Sequence, residues 1–314
     1  MRKYLKRRLF LLLILLVGFT CSNAEAKKIS IKNHKINIAY CTDDNYMMPT
    51  LVSMTSAIET ASKDSFYKFT VLVPEELSKE NKQRLETFKK QHKSNASLNV
   101  VNMGTAFSDS DFKQWSKAAY FRLLLPEILS NEKKCIYLDG DTIVRKDLYE
   151  MYQTDMKDYH IAGIRDYVRK SYITDNLEIP YDEYICSGVL ILNLDNLRKD
   201  NMVEIFKKYV CEQNETGKYH FVDQDIFNKA CYGKIRHLPF KYGAFTFRNN
   251  KAISKYNKKS FWQWPKKEWE EGVKDATVVH FVGGKPWKVT RKNKYYNEWN
   301  EIAKKVKKIY KFKK

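Results

Sequence analysis

Apolar residues along this chain gather in short dense runs separated by longer, more polar stretches. The runs at 36–41, 69–73, 98–102, 135–138 and 188–193 have the length of strands. Where nearly every position is apolar, the strand is covered on both faces. The stretches at 47–61, 77–92, 116–129, 195–212 and 223–230 read as helices, with Ser116 as an N-cap and Pro126 predicting a kink or split in the last turn. Pro74 stops the second strand, a short helix follows Leu148, 166–183 is a variable stretch, and 235–240 and 277–282 close the set. Such alternation predicts an α/β domain with a mostly parallel sheet and helices on both faces. No Pro/Gly/Ser linker interrupts it, so one domain is expected over 27–290.

The two ends differ from this middle. Residues 1–26 run from a basic start through an apolar core to a small polar stretch ending in Ala-x-Ala, the plan of a secretory signal peptide. The apolar core falls short of the ~20 residues of a spanning helix; a short uncleaved anchor is the alternative. The expected location is the secretory or export route, or the membrane, with the cytoplasmic membrane face as the other possibility. At the far end, 291–314, Tyr295, Trp299, Ile302, Val306 and Ile309 form one helical stripe, with Lys304, Lys305, Lys307, Lys308, Lys311, Lys313 and Lys314 on the other faces. Such a basic amphipathic helix suits either peripheral contact with an anionic membrane or packing on its own domain.

Composition narrows the partners. The 314 residues carry a net charge of +20, which suits an anionic partner such as a nucleotide, a phosphorylated glycan or acidic lipid. Nucleic acid is not expected, since no helix-turn-helix, zinc-finger or RNA-recognition pattern is present. The six cysteines, at 21, 41, 135, 186, 211 and 231, form no Cys-x-x-Cys pair, so they are not a disulfide framework; Cys135 and Cys186 read as core thiols.

The candidate chemistry centres on 134–148. There an apolar run ends in Asp139-Gly140-Asp141 before Ile143 and Val144 resume it. In parallel sheets ligands bind at the carboxyl ends of strands, and two acids there are poorly explained by packing because charge is costly to bury unpaired. Two carboxylates one residue apart suit a hard divalent cation, Mg²⁺ or Mn²⁺, and Gly140 would let the backbone approach what that cation holds. Three functions share the pattern: a metal- and nucleotide-sugar-dependent glycosyltransferase, a haloacid-dehalogenase-type phosphatase, and a secreted nucleotide- or sugar-binding module without activity. The phosphatase pattern wants Thr where Ile143 stands and places its acids near the start of the domain.

Four further stretches accompany the acid pair. Cys41-Thr-Asp-Asp-Asn-Tyr46 follows the first strand, and 116–122 puts Arg122 on a helix before the central strand. Tyr184-Ile-Cys-Ser-Gly188, with Asp223-Gln-Asp225 downstream, supplies small and polar groups, and His280-Phe-Val-Gly-Gly-Lys-Pro-Trp287 follows the last strand. In this order and spacing, from about 36 to 287, the chain resembles glycosyltransferase family 8, which includes bacterial lipopolysaccharide glucosyl- and galactosyltransferases and glycogenin. The resemblance implies a GT-A fold and transfer of a hexose from a UDP-sugar with retention, to a glycan or glycolipid acceptor. It implies Asp139, Asp141 and His280 as Mn²⁺ ligands. It further implies Cys41, Thr42, Asp43, Asp44, Asn45 and Tyr46 around the uridine, Gly283 and Lys285 on the diphosphate, and Arg122 near the phosphate and donor sugar. Asp223 and Gln224 would lie beside the reacting sugar. Cys186 stands where the family usually has Asn, which leaves glucose versus galactose open.

Overall fold

The first three dense runs become neighbouring strands, β1 (His34–Cys41), β2 (Ser65–Val73) and β3 (Ala96–Asn102). Between them lie α1 (Met47–Thr60) and α2 (Lys79–Gln91). The described residues of this computed structural model are 34–110, 116–166, 168–245, 264–288 and 294–312. The expected leader, 1–26, and Lys313 and Lys314 of the tail lie outside them. Alternate residues of β1 enter opposite faces: Ile36, Ile38 and Tyr40 join one core cluster, Ala39 and Cys41 the other. Both faces are covered, which is why the run carries almost no polar alternation.

The helix expected over 116–129 is broken in three. α3 (Ala118–Phe121) passes into a 3₁₀ turn, Arg122–Leu124, and then α4 (Leu125–Ile128), with Pro126 in the first turn of the last piece. Ser116 still accepts a bond from the Ala118 N–H at 3.3 Å, one residue short of the cap position, which Lys117 holds. Then come β4 (Lys134–Leu138), β5 (Thr142–Val144), α5 (Tyr149–Tyr152) and β6 (Ile161–Arg165). β6 was not evident in the sequence. It is five residues long, contains Gly163 and ends in Arg165, so its apolar signal is weak. β7 (Ile185–Asn193) leads into two helices, α6 (Leu194–Lys199) and α7 (Met202–Thr216), where one was expected. The break is Asn201, at φ +52°, a left-handed conformation that Asn tolerates better than most residues. α8 (Asp223–Ala230), β8 (Ile235–His237), β9 (Ala244–Phe245), α9 (Lys266–Lys274), β10 (Val278–His280) and α10 (Lys294–Ile309) complete the described elements.

The main sheet has the order β3-β2-β1-β4-β7-β6-β8 and is mostly parallel, as expected. β7 is the exception, running antiparallel to both β4 and β6. Its beginning therefore meets the carboxyl end of β4, with Leu138 opposite Val189 and the Asp139 N–H bonded to the Gly188 carbonyl at 2.8 Å. A second sheet, β5-β10-β9, sets His280 opposite Thr142, and the Phe281 N–H bonds the Asp141 carbonyl at 2.9 Å. Two strand pairings thus bring residues 186–188 and 280 to one acid pair.

The apolar stripe of α10 packs on its own core. Tyr295, Tyr296, Trp299, Ala303 and Val306 are buried. Glu298 pairs with Arg145 at 2.6 Å, Lys305 with Glu59 at 3.0 Å, and Arg84 donates to the Tyr310 carbonyl at 3.0 Å. Lys304, Lys307, Lys308 and Lys311 face outward. No helix among the described residues is long and apolar enough to cross a membrane.

Candidate active site

Asp139, Asp141 and His280 each offer a ligand atom, all within 4.8 Å of one another. The His280 Nε2 lies 3.2 Å from Asp141 Oδ1 and 3.6 Å from Asp139 Oδ2. The remaining oxygens are already engaged. Asp139 Oδ1 accepts from the Tyr137 hydroxyl at 2.8 Å and faces Arg122 Nη2 at 3.0 Å, and Asp141 Oδ2 takes the Lys285 ammonium. Each acid therefore turns one oxygen toward the imidazole. Two carboxylate oxygens and an imidazole nitrogen are a donor set that could hold a divalent metal. Gly188 closes the cradle from β7: a Cβ there would fall 2.1 Å from His280 Cε1 and 2.7 Å from Asp139 Oδ2. Burial alone would raise the Asp141 carboxyl, but His280 and Lys285 outweigh it and hold the group well below the usual carboxylate range. Burial opposes the charge on Lys285, yet Asp141 keeps its ammonium above the usual lysine range.

Arg122 joins this cluster to a second one. It is buried over the Tyr137 ring, 4.3 Å from its centroid, and its Nη1 donates to the Ser187 carbonyl at 3.1 Å. Its Nε lies 3.3 Å from Asp223 Oδ2, but that N–H points to the Ala119 carbonyl at 3.0 Å. Asp223 Oδ2 is thus buried beside a cation without a hydrogen-bond donor. Burial, only partly offset by Arg122, pushes the Asp223 carboxyl up to about 6. The preceding residue, Val222, has φ +39° and ψ −106°, strain that a β-branched residue adopts only where its surroundings impose it. Gln224 follows, its Oε1 accepting from the Ser187 N–H at 3.0 Å.

The turn after β1 has mixed roles. Asp43 Oδ1 accepts from the N–H groups of Asn45 and Tyr46, both at 3.0 Å, and so shapes the turn. Asp44 turns away to α2, where its carboxylate takes the Ser78 N–H at 3.1 Å, the Ser78 hydroxyl at 2.7 Å and Asn81 Nδ2 at 2.6 Å. Thr42 Oγ1 accepts from Thr50 at 2.9 Å. Burial pushes the Cys41 thiol up to about 12, so it stays neutral. Tyr46 meets Trp287 edge-on at 5.6 Å, and Trp287 lies 5.5 Å from Trp299 of α10. Gly140 has a packing role as well: a Cβ there would lie 2.4 Å from Thr50 Oγ1, so its bareness admits α1. Cys186 is more than a core thiol, since its Sγ faces His280 Nδ1 at 3.7 Å. Gly283 adopts φ +84°, which favours glycine, and the Tyr296 hydroxyl holds the Gly284 carbonyl beside it.

The sequence alone does not single out Tyr137, Tyr184, Ser187, Gly188 or Asp225 as individual contributors to this site. Tyr137 and Tyr184 sit in apolar runs where an aromatic ring reads as core. Asp225 stood in the Asp-x-Asp run with nothing to separate it from Asp223.

Residues 37–291 match the family described as Glycosyl transferase family 8. General stress protein A of Bacillus subtilis (strain 168) is 25% identical over 286 residues, covering 87% of this chain and 97% of its own. Lipopolysaccharide 1,2-glucosyltransferase of Escherichia coli is 25% identical over 259 residues, covering 80% of this chain and 73% of its own. The structure of the galactosyltransferase LgtC in complex with donor and acceptor sugar analogues superposes with a TM-score of 0.70 at 22% identity, over 86% of this chain and 96% of that one.

Proposed function

The chain belongs to glycosyl transferase family 8, and on that premise we propose that it moves a hexose, glucose or galactose, from a UDP-sugar to a glycan or glycolipid acceptor with retention of configuration. The observation that carries this reading is the convergence of Asp139, Asp141 and His280 with Lys285 at the end of β4. The two acids and the histidine fit Mn²⁺ or Mg²⁺. Bound there, the ion would supply charge to stabilise a departing diphosphate.

The chain's own groups do the rest. The loop at Gly283 and Lys285 offers backbone and ammonium to the diphosphate, and Lys285 is charged and largely enclosed beside Asp141 before any ligand arrives. A preformed cation of this kind favours the transition state, where negative charge grows on the leaving oxygen. Asp43, Asn45 and Tyr46 bind the uridine, with Tyr46 backed by Trp287. Arg122 lies between the acid pair and Asp223, so it balances charge on both sides of the donor sugar. The anomeric carbon becomes oxocarbenium-like as the bond breaks. Asp223 and Gln224 stand closest to that role, as nucleophile or electrostatic support, with Cys186 beside them against His280.

The outward lysines of α10 would draw the enzyme to an anionic membrane carrying a glycolipid acceptor. The stripe packed inward makes that contact electrostatic rather than insertive. Residues 1–26 would act as export signal or short anchor. The deciding experiment supplies the full chain with Mn²⁺ and a panel of UDP-sugars and follows UDP release. Release from one donor, lost on Asp141→Ala and on chelation, supports the reading; no release and no calorimetric UDP binding overturns it.

A further inference from the structure

Gln224 is held by partners that leave its amide one orientation. Its Nε2 donates to Asp166 Oδ2 at 3.0 Å and to the Tyr184 hydroxyl at 2.9 Å, while Oε1 accepts from the Ser187 N–H at 3.0 Å. A carboxylate can only accept and a backbone N–H can only donate. Turning the amide over would therefore set Oε1 against a carboxylate and an NH₂ against an N–H. The Tyr184 hydroxyl receives from Gln224, so its own proton must go elsewhere, and it goes to Asp225 Oδ1 at 2.5 Å. Asp225 Oδ2 in turn accepts from the Tyr172 hydroxyl and from the Phe221 N–H at 2.8 Å. Tyr172 belongs to the π-helical turn Tyr172–Asn176, and its oxygen also accepts the His220 N–H at 2.9 Å. Asp225, Tyr184 and Gln224 are buried, where each such bond is strengthened and each lost one is costly.

We propose that Asp225 and Tyr184 are positioning residues that, with Asp166 and the Ser187 N–H, fix the Gln224 amide so that both its protons are spent inward and its oxygen keeps a lone pair for the reacting sugar. The proposal rests on the reading of Gln224 as the group beside that sugar. It gives Asp225 a task distinct from that of Asp223, two residues earlier. Asp225 acts through Tyr184, with both its oxygens engaged by Tyr184, Tyr172 and the Phe221 N–H. It accepts the Tyr184 proton, and so obliges Tyr184 to accept from Gln224 rather than donate to it. A Gln224 with its oxygen turned inward would present N–H groups to a carbon that develops positive charge, which is the wrong sign. Tyr172 makes the 172–176 turn part of the same chain of bonds, so order in that turn and orientation of the amide go together.

Two measurements on the full-length chain test this. The first is hydrogen exchange of the Gln224 side-chain amide by ¹⁵N NMR without ligand. In the wild type both protons exchange slowly; Tyr184→Phe speeds them by about tenfold or more, as loss of one buried hydrogen bond implies. The amide of buried Gln213 should not change in that variant. Fast exchange already in the wild type, or equal acceleration at Gln213, overturns the proposal. The second is UDP release from the donor the wild type uses. Tyr184→Phe should lower kcat about tenfold with donor KM within about twofold, and add no further loss in a Gln224→Ala background. Additive losses in the double variant would mean Tyr184 acts on the fold and not through Gln224. Should the wild type release UDP from no donor, the transferase reading falls, while the exchange measurement still decides the positioning.

Discussion

Gly188→Ala is the most informative single change to the metal cradle, because it adds one methyl group and removes no functional atom. The new Cβ would sit 2.1 Å from His280 Cε1 and 2.7 Å from His280 Nε2. Ordinary contact begins near 3.4 Å, so something must move by about 1.3 Å. The backbone of β7 has little freedom to do so, being paired with β4 on one side and β6 on the other. β10 is likewise paired on both sides, with β5 and β9. The His280 ring must therefore rotate away from Asp139 and Asp141. A metal bond tolerates about 0.2 Å, so a shift of this size removes His280 as a ligand. The expected fall in Mn²⁺ affinity is about a hundredfold, with an overpacking cost of about 1–3 kcal/mol. Calorimetric titration with Mn²⁺ and thermal unfolding measure the two effects. A second substitution separates them: Gly188→Ala with His280→Ala should regain part of the lost stability, the 2.7 Å approach to Asp139 Oδ2 remaining, and none of the affinity. Mn²⁺ binding within about threefold of wild type in Gly188→Ala would refute the reasoning, as would a double variant no more stable than the single one.

Other outcomes follow from the same geometry. Arg122→Met leaves Asp139 and Asp223 facing each other without their buried cation; unfolding in urea should show a loss of about 3 kcal/mol or more, and a loss below about 1 kcal/mol would contradict the bridging role. Asp141→Asn, or EDTA, should abolish UDP release, and Mn²⁺ should restore it after EDTA but not in the variant. His92 is half-buried between Phe88 and the Tyr310 hydroxyl, and burial holds its imidazole below the usual histidine range. A folded value below the unfolded one gives stability that is present above about pH 6.5 and is lost as pH falls through the folded value. His92→Gln should therefore flatten that acid-side loss in thermal unfolding. Changing Lys304, Lys307, Lys308 and Lys311 together to Gln should weaken binding to vesicles rich in anionic lipid by about 1 kcal/mol per lysine with unchanged melting temperature; undiminished binding would remove the tail from membrane contact.

The acid pair was legible because charge ends an apolar run, and the tail helix because its stripe repeats at helical spacing. Neither signal carries direction. Nothing in 185–193 tells that β7 runs against β4, yet that reversal puts Ser187 and Gly188, at its start, beside Asp139. The small sheet was hidden for a similar reason: 277–282 reads as a strand, but β5 is three residues long, too short for any periodicity, and nothing in either tells that the two pair. Asp43 and Asp44 look alike in sequence; only the fold shows that one shapes the turn and the other secures the start of α2. The motif order supplied what spacing could not, and family membership then set aside the phosphatase that shared the acid pair.

The aromatic column from Tyr46 through Trp287 to Trp299 has a consequence for how the protein is made. Its first ring lies just after β1 and its last in the final helix, and Arg84 reaches across to the carbonyl of Lys311. Synthesis proceeds from the amino end at about 5–20 residues per second. Until residues 287–299 have emerged from the ribosome, Tyr46 has no ring behind it. Contacts this distant in sequence form late, so the turn after β1 should gain its aromatic support only after α10 has been made. A chain stopped before Trp287 should leave Tyr46 without its ring partner and bind UDP poorly even with Asp139, Asp141 and His280 in place.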